Sequence, residues 1–298
     1  MSDGLAALRR KIAGAGDLHA VVRTMKALAA SSIGDYERSV LALADYDRTV
    51  SLGLSECFRQ ARADPEAAPP IAAGPSHAVG AIVFGSDQGL VGPFNDVIAE
   101  HAVRTLAARS GAAQVWPVGE RVQAHLKDAG LEVLGTYAVP GSVEAITPLV
   151  AQIQIDSEAR RARGGAGQIR EVLVFHNRPL AASLYEPVDQ RLLPLDAAWQ
   201  HSLAALPWPG KMLPEVMEHG ATTLRTLIRE YLFISLFRAC AESLASENAS
   251  RLAAMERADR NIKDLLENLH GRIHRQRQSA IDEELFDVTS GYEALARP

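Results

Sequence analysis

The chain has 298 residues, a formal net charge of −5 and 47% hydrophobic but only 5% aromatic residues. That length allows one large domain or two modest ones, and the acidic balance argues against a dedicated nucleic-acid binder. Two cysteines, Cys57 and Cys240, are too few for a disulfide framework or a metal cluster, and no apolar run approaches the length of a membrane span.

From Gly4 to Phe58 the pattern is helical. Leu5, Leu8, Ile12, Leu18, Val22, Met25, Leu28, Ile33, Val40, Leu43, Tyr46, Val50 and Leu54 fall mostly at steps of three and four. The small-sided segment Ala27–Ala30, with Ser31 and Ser32, lets another helix approach closely. The N-terminus lacks the apolar core and cleavage site of a secretory signal, so a reduced, cytosolic-side protein is expected. Arg9, Arg10, Lys11, Arg23 and Lys26 make the start of this helix basic, as either a solvated face or a dock for an acidic partner. A proline-rich break follows, with Pro65, Pro69, Pro70 and Pro75.

The middle of the chain alternates. Ala78–Phe84 reads as a buried strand, followed by the turn SDQGLVGP and a helix over Asn95–Arg109. Ala113–Val118 is a strand, Glu120–Ala129 a helix, Leu131–Ala138 a strand and Ser142–Arg161 a helix. A basic flexible turn, RARGGAGQ, leads to strands over Glu171–His176 and Tyr185–Pro194, the last antiparallel because its loop is short. This alternation predicts an α/β layer with a mostly parallel five-stranded sheet. Pro207, Pro209 and Pro214 mark a second break.

The last helix runs over Thr222–Val288 without a proline, and its only internal glycine is Gly271. It would be about 100 Å long. Leu252, Met255, Ile262, Leu266, Leu269, Ile273 and Ala280, with polar Asp259 and Gln276, form a heptad seam. A seam needs a partner, and the first helix is the natural one. The fold class expected is therefore α/β plus a long antiparallel coiled coil, divided as residues 1–62, 76–206 and 211–298.

No catalytic constellation stands out. The turn Gly85–Gly92 matches neither the P-loop nor the dinucleotide fingerprint, and reads as a tight strand-to-helix connection. His270 and His274 stand four apart without a third ligand. There is no G-x-S-x-G elbow, and Asp282, Glu283 and Glu284 point around their helix as a solvated acidic collar. No metal or cofactor is expected. From the residues alone, a coiled-coil adaptor with an α/β head, or a small α/β enzyme using the SDQGLVG turn as an anion site, stays open.

Three stretches carry a resemblance. LRRKIAGAGDLHAVVRTMKALAASSI, SDQGLVGPFN and the terminal block from ESLASENASRLAAMERADRNIKDLLENLHGRIHRQRQSAIDEELFDVTSG resemble the gamma subunit of rotary F-type ATP synthases. That resemblance implies a non-catalytic central shaft, coupling ion-driven rotation of a c-ring to ATP synthesis or hydrolysis in an alpha–beta hexamer. It places Met25, Lys26, Arg277, Gln278 and Glu284 against the hexamer. It places Ser86, Asp87, Gln88, Gly89 and Asn95 in the foot that meets the epsilon subunit and the c-ring. It further implies a peripheral place on the cytoplasmic face of a prokaryotic plasma membrane, with membrane association only through the complex, and no nucleic-acid partner. Gln88, Val91 and Pro93 in the turn, with Asp282 and Tyr292 near the C-terminus, depart from the family pattern and imply a divergent prokaryotic form.

Overall fold

In the computed structural model the described residues are 2–63, 78–109, 111–162, 168–180, 185–195, 197–212, 214 and 220–296. Prolines 65, 69, 70 and 75, and most of the RARGGAGQ turn, lie outside them. The chain divides into two compact units, residues 30–250 and residues 1–29 with 251–298. The long helices α1 (Ser2–Ala63) and α6 (Gly220–Ala296) contribute to both.

The larger unit is built on a five-stranded sheet of order β3-β2-β1-β4-β5. Its strands are β1 (Ala78–Phe84), β2 (Ala113–Val118), β3 (Glu132–Val133), β4 (Ile169–Pro179) and β5 (Tyr185–Leu193). The first four run parallel and β5 runs antiparallel to β4, as the strand order in the sequence predicts. Pleating sends alternate residues of β1 to opposite faces. Val79, Ala81 and Val83 pack with Ile98, Ala102 and Leu106 of α2 (Phe94–Ala107) and Val122 and Leu126 of α3 (Glu120–Asp128). Ala78, Ile82 and Phe84 pack with Ile146, Val150 and Ile153 of α4 (Ile146–Ala162) and with Leu236, Cys240 and Leu244 of α6. A stretch of the long helix is thus one layer of the α/β sandwich, which is why Ile234–Ala245 has so many buried positions. Gly80 is small of necessity, because a Cβ there would lie 2.9 Å from Trp116.

Within this unit α1 and α6 run antiparallel. Tyr46 Oη donates to Glu230 at 2.7 Å, Arg238 pairs with Asp47 at 2.7 Å, and Gly53 leaves room for Leu227. A short helix not anticipated from sequence, α5 (Ala197–Ala204), adds Trp199 and Leu203 to a small core with Val50, Leu54 and Ile234.

Several boundaries differ from expectation. The third strand shrinks from the anticipated eight residues to Glu132–Val133, because it is the sheet edge, although Tyr137 still bridges Val118. The fourth helix begins at Ile146 rather than Ser142, and β4 extends three residues past His176. Both long helices exceed their anticipated ends.

The smaller unit is a two-helix antiparallel coil. On α6, Met255, Asp259, Ile262 and Leu269 are buried, while Leu252, Leu266, Ile273, Gln276 and Ala280 are half-buried, matching the heptad seam position by position. On α1 the seam is Leu8, Ile12, Ala15, His19, Val22 and Ala29. Leu18 and Leu28, assigned to the stripe from sequence, are 54% and 64% exposed. The heptad requires positions 15 and 19, so a small residue and a histidine occupy the seam while bulkier neighbours face outward.

Candidate functional site

Two places hold the residues singled out from sequence. The first is the coil of the smaller unit. Val22, Met255 and Ile262 form its apolar centre, with Met25, Ala254, Ala258 and Leu266 packed against it. Met25 is therefore half-buried. Lys26 reaches Glu256 at 3.5 Å with both side chains largely exposed, a pair worth little to stability. Arg277, Gln278 and Glu284 are all exposed. Gly4 lies where a Cβ would be 2.9 Å from the Gln276 amide.

One step along the seam is a polar pair, of which the sequence reading included Asp259 but not His19. His19 Nε2 lies 2.7 Å from Asp259 Oδ1, and Lys263 Nζ donates to Asp259 Oδ2 at 2.9 Å. The bond from Lys263 and then that with His19 hold the Asp259 carboxyl below the usual aspartate range. A polar seam residue of this kind fixes register, because sliding the helices by a turn leaves it facing an apolar neighbour. Asp259 was legible as a polar seam position; His19 was legible only from its heptad spacing after Leu8, Ile12 and Ala15.

The depressed carboxyl links coil stability to pH. Its contribution is present in full above the ordinary aspartate pKa and is lost as pH falls through the lower folded value. Helicity of the coil, followed by circular dichroism, is expected to melt at lower temperature under strong acid than at neutral pH. In the Asp259→Asn variant that acid decrement is expected to shrink. An unchanged decrement would remove Asp259 from the account.

From Phe286 and Val288, 72% exposed, to Ile281 and Leu285, 58% and 63% exposed, the far end of α6 carries large apolar side chains on its surface. Seam burial stops at Ala280. Exposed apolar clusters of this kind mark contact surfaces.

The second place is the turn from β1 to α2, residues 85–93. Its backbone is left-handed at Leu90 (φ 63°) and Gly92 (φ 57°). Its polar groups bond inward. Ser86 N–H donates to Asn95 Oδ1 at 2.9 Å, and Asn95 Nδ2 donates back to Ser86 Oγ at 2.8 Å. Ser86 Oγ donates to the Gln88 carbonyl at 2.9 Å. Asp87 accepts from the Glu120 N–H at 2.9 Å and from the Val139 N–H at 2.8 Å, tying the turn to the start of α3 and to the segment after β3. Ser250 of α6 donates to the Val91 carbonyl, and Asn177 donates to the Phe94 carbonyl at 3.1 Å. Glycines make the closeness possible: a Cβ at Gly85 would lie 2.4 Å from Val122.

Ser86 and Asn95 are therefore buried and hold the turn, while Gln88 and Leu90 present its outer surface. The reading of this stretch as a tight strand-to-helix connection agrees with the geometry. Asn95→Ala leaves the fully buried Ser86 N–H without its acceptor, and is expected to destabilise the α/β unit by about 1–3 kcal/mol in urea unfolding. A loss under about 0.5 kcal/mol, the scale of an ordinary surface change, would show that the pair is not holding the turn.

His270 and His274 are exposed on α6. Among the described residues no group of His, Cys, Asp and Glu is placed to hold a metal ion, and no helix is long and apolar enough to cross a membrane.

Comparison with known proteins covers nearly the whole chain. A family model described as ATP synthase matches residues 4–295. The ATP synthase gamma chain of Salinibacter ruber is 31% identical over 97% of this chain and 97% of its own length. That of Syntrophus aciditrophicus is 26% identical over 97% of this chain and 98% of its own. Among solved structures, the Euglena gracilis mitochondrial ATP synthase rotor aligns with a TM-score of 0.62 at 15% identity, over 94% of this chain and 100% of that one. The central stalk of the Tetrahymena thermophila mitochondrial ATP synthase aligns with a TM-score of 0.55 at 21% identity, over 80% of this chain and 99% of that one. The chain belongs to the ATP synthase gamma family, the central rotor shaft of F-type ATP synthases.

Proposed function

We propose that this shaft has no chemistry of its own and couples ion-driven rotation of a c-ring to ATP synthesis or hydrolysis on the beta subunits of an alpha–beta hexamer. The observation that carries the reading is the end of α6, where seam burial stops while Ile281, Leu285, Phe286 and Val288 stay exposed. An apolar helix end beyond its own coil calls for cover by another molecule, and the hexamer bore supplies it. In this reading Met25, Lys26, Arg277, Gln278 and Glu284 meet the hexamer. The α/β body, residues 76–206, is the foot on the epsilon subunit and the c-ring, with residues 1–62 and 211–298 as the shaft.

The buried pair Ser86 and Asn95 then acts by shaping the turn, together with Asp87, whereas Gln88 sits at its surface and Gly89 is half-buried. The complex is peripheral on the cytoplasmic face of a prokaryotic plasma membrane, and this chain reaches the membrane only through its partners.

Co-expression with the alpha and beta subunits of the same operon tests the reading. Recovery of a hexamer carrying one copy of this chain, with ATP-driven rotation of a bead fixed to the α/β body, is the expected result. An alpha–beta preparation that leaves the chain behind would favour the adaptor reading instead. Tight nucleotide binding by the isolated chain would favour the enzyme reading.

A further inference from the structure

A cavity of about 570 Å³ opens on the α/β unit at the amino end of β4 and the carboxyl end of β5. That is the end of the sheet opposite the Ser86–Asn95 turn, since β1 and β4 are parallel and the turn follows the carboxyl end of β1. The volume falls in the range of small-molecule sites, about 300–1,000 Å³. Its lining is two-sided in chemistry. Phe58, Ile169, Leu193 and Ile228 supply apolar walls, Arg161 and Arg170 supply cationic groups, and no carboxylate lines it among the described residues.

Arg161 is the informative member. Its Nε is buried and has no hydrogen-bond partner among the described residues. Burial lowers the guanidinium's pKa below its ordinary value, against an opposing pull from Glu158. Glu158 is itself turned to Arg229, at 3.4 Å. A buried N–H donor with nothing to donate to is costly unless something accepts from it. The planar fork of donors matches an oxyanion in both shape and charge. None of the residues named for the proposed function lines this cavity.

We propose that the cavity binds a small oxyanion carried on an apolar body, an aryl phosphate by chemical class, with Arg161 Nε–H donating to the oxyanion and the walls around Phe58 and Ile169 taking the apolar part. The site is separate from any anion-binding role of the first turn, so its failure leaves the shaft reading untouched.

Calorimetry on the full chain with 1-naphthyl phosphate tests this, alongside inorganic phosphate and 1-naphthol as the two halves alone. Saturable binding is expected for naphthyl phosphate, with each half weaker by about tenfold or more. Arg161→Gln is expected to weaken naphthyl phosphate by about tenfold, Arg161→Lys by less, and Arg178→Gln, on an exposed pair with Glu186, not at all. In ¹H–¹⁵N spectra of the wild type the Arg161 Nε–H resonance is expected to shift on addition of the probe. No binding of naphthyl phosphate overturns the proposal, as does equal affinity for inorganic phosphate or an affinity indifferent to Arg161→Gln. If Arg161→Gln folds poorly, the wild-type resonance decides: a shift supports the site and a stationary signal overturns it.

Discussion

Alanine at Gly119 is expected to destabilise the α/β unit far more than alanine at Gly130. Both glycines have positive φ, 117° and 80°. A Cβ at Gly130 meets nothing within 4 Å, so the substitution carries only the conformational cost, about 1–2 kcal/mol. At Gly119 the added atom lies 2.8 Å from the backbone N, C and O of Ser86, and backbone cannot swing aside. Strain of about 1–3 kcal/mol then adds to overpacking of a similar size, for roughly 2–6 kcal/mol in all. The Gly119 N–H donates to the Tyr137 carbonyl at 2.8 Å, so a shift to relieve the clash would break a further link. Urea unfolding of the two variants side by side measures the difference. Equal losses would mean that the crossing of residues 86 and 119 is looser than its geometry.

The second large effect is on coupling. Met25 packs against the cluster of Val22, Met255 and Ile262, beside the Lys26–Glu256 pair. Met25→Lys puts a second ammonium next to Lys26, where Glu256 can neutralise only one. With Met25 facing the hexamer, as proposed above, the surplus charge is free to bond a carboxylate there. A charge-assisted hydrogen bond is worth about 1.5–3 kcal/mol, which would hold one angular position longer by roughly ten- to a hundredfold. The expected result is an assembled complex that still hydrolyses ATP but pumps few ions per ATP. Undiminished pumping per ATP in a fully assembled variant, read with an ion-sensitive dye in vesicles, would rule the mechanism out.

How much of this was readable in the residues differs between the two long helices. On α6 every seam position from Leu252 to Ala280 is at least half-buried, because large apolar residues and heptad spacing coincide there. On α1 they diverge. Leu18 and Leu28 are apolar but face outward, and Ala15, His19 and Ala29 hold the seam. Hydrophobicity reports what can be buried, whereas a two-helix seam selects by angle. The strands of the centre were read closely because they are buried on both faces. The edge strand β3 was overestimated, since Leu131–Ala138 has the composition of a strand but a neighbour on one side only. In the turn, the tight connection was legible from its glycines. The partners of Asp87 were not, because Glu120 and Val139 are brought to it by the fold.

The inward bonding of that turn also constrains how the segment can change over evolutionary time. Ser86 and Asn95 exchange two hydrogen bonds, and Gly85 and Gly119 admit them to one another's space. These four positions should substitute together or not at all. Gln88 and Leu90, bonded to none of them through their side chains, should drift independently at the rate of whatever surface they meet. A lineage could thus retune the outer face of the turn for a new neighbour without passing through an unfolded intermediate.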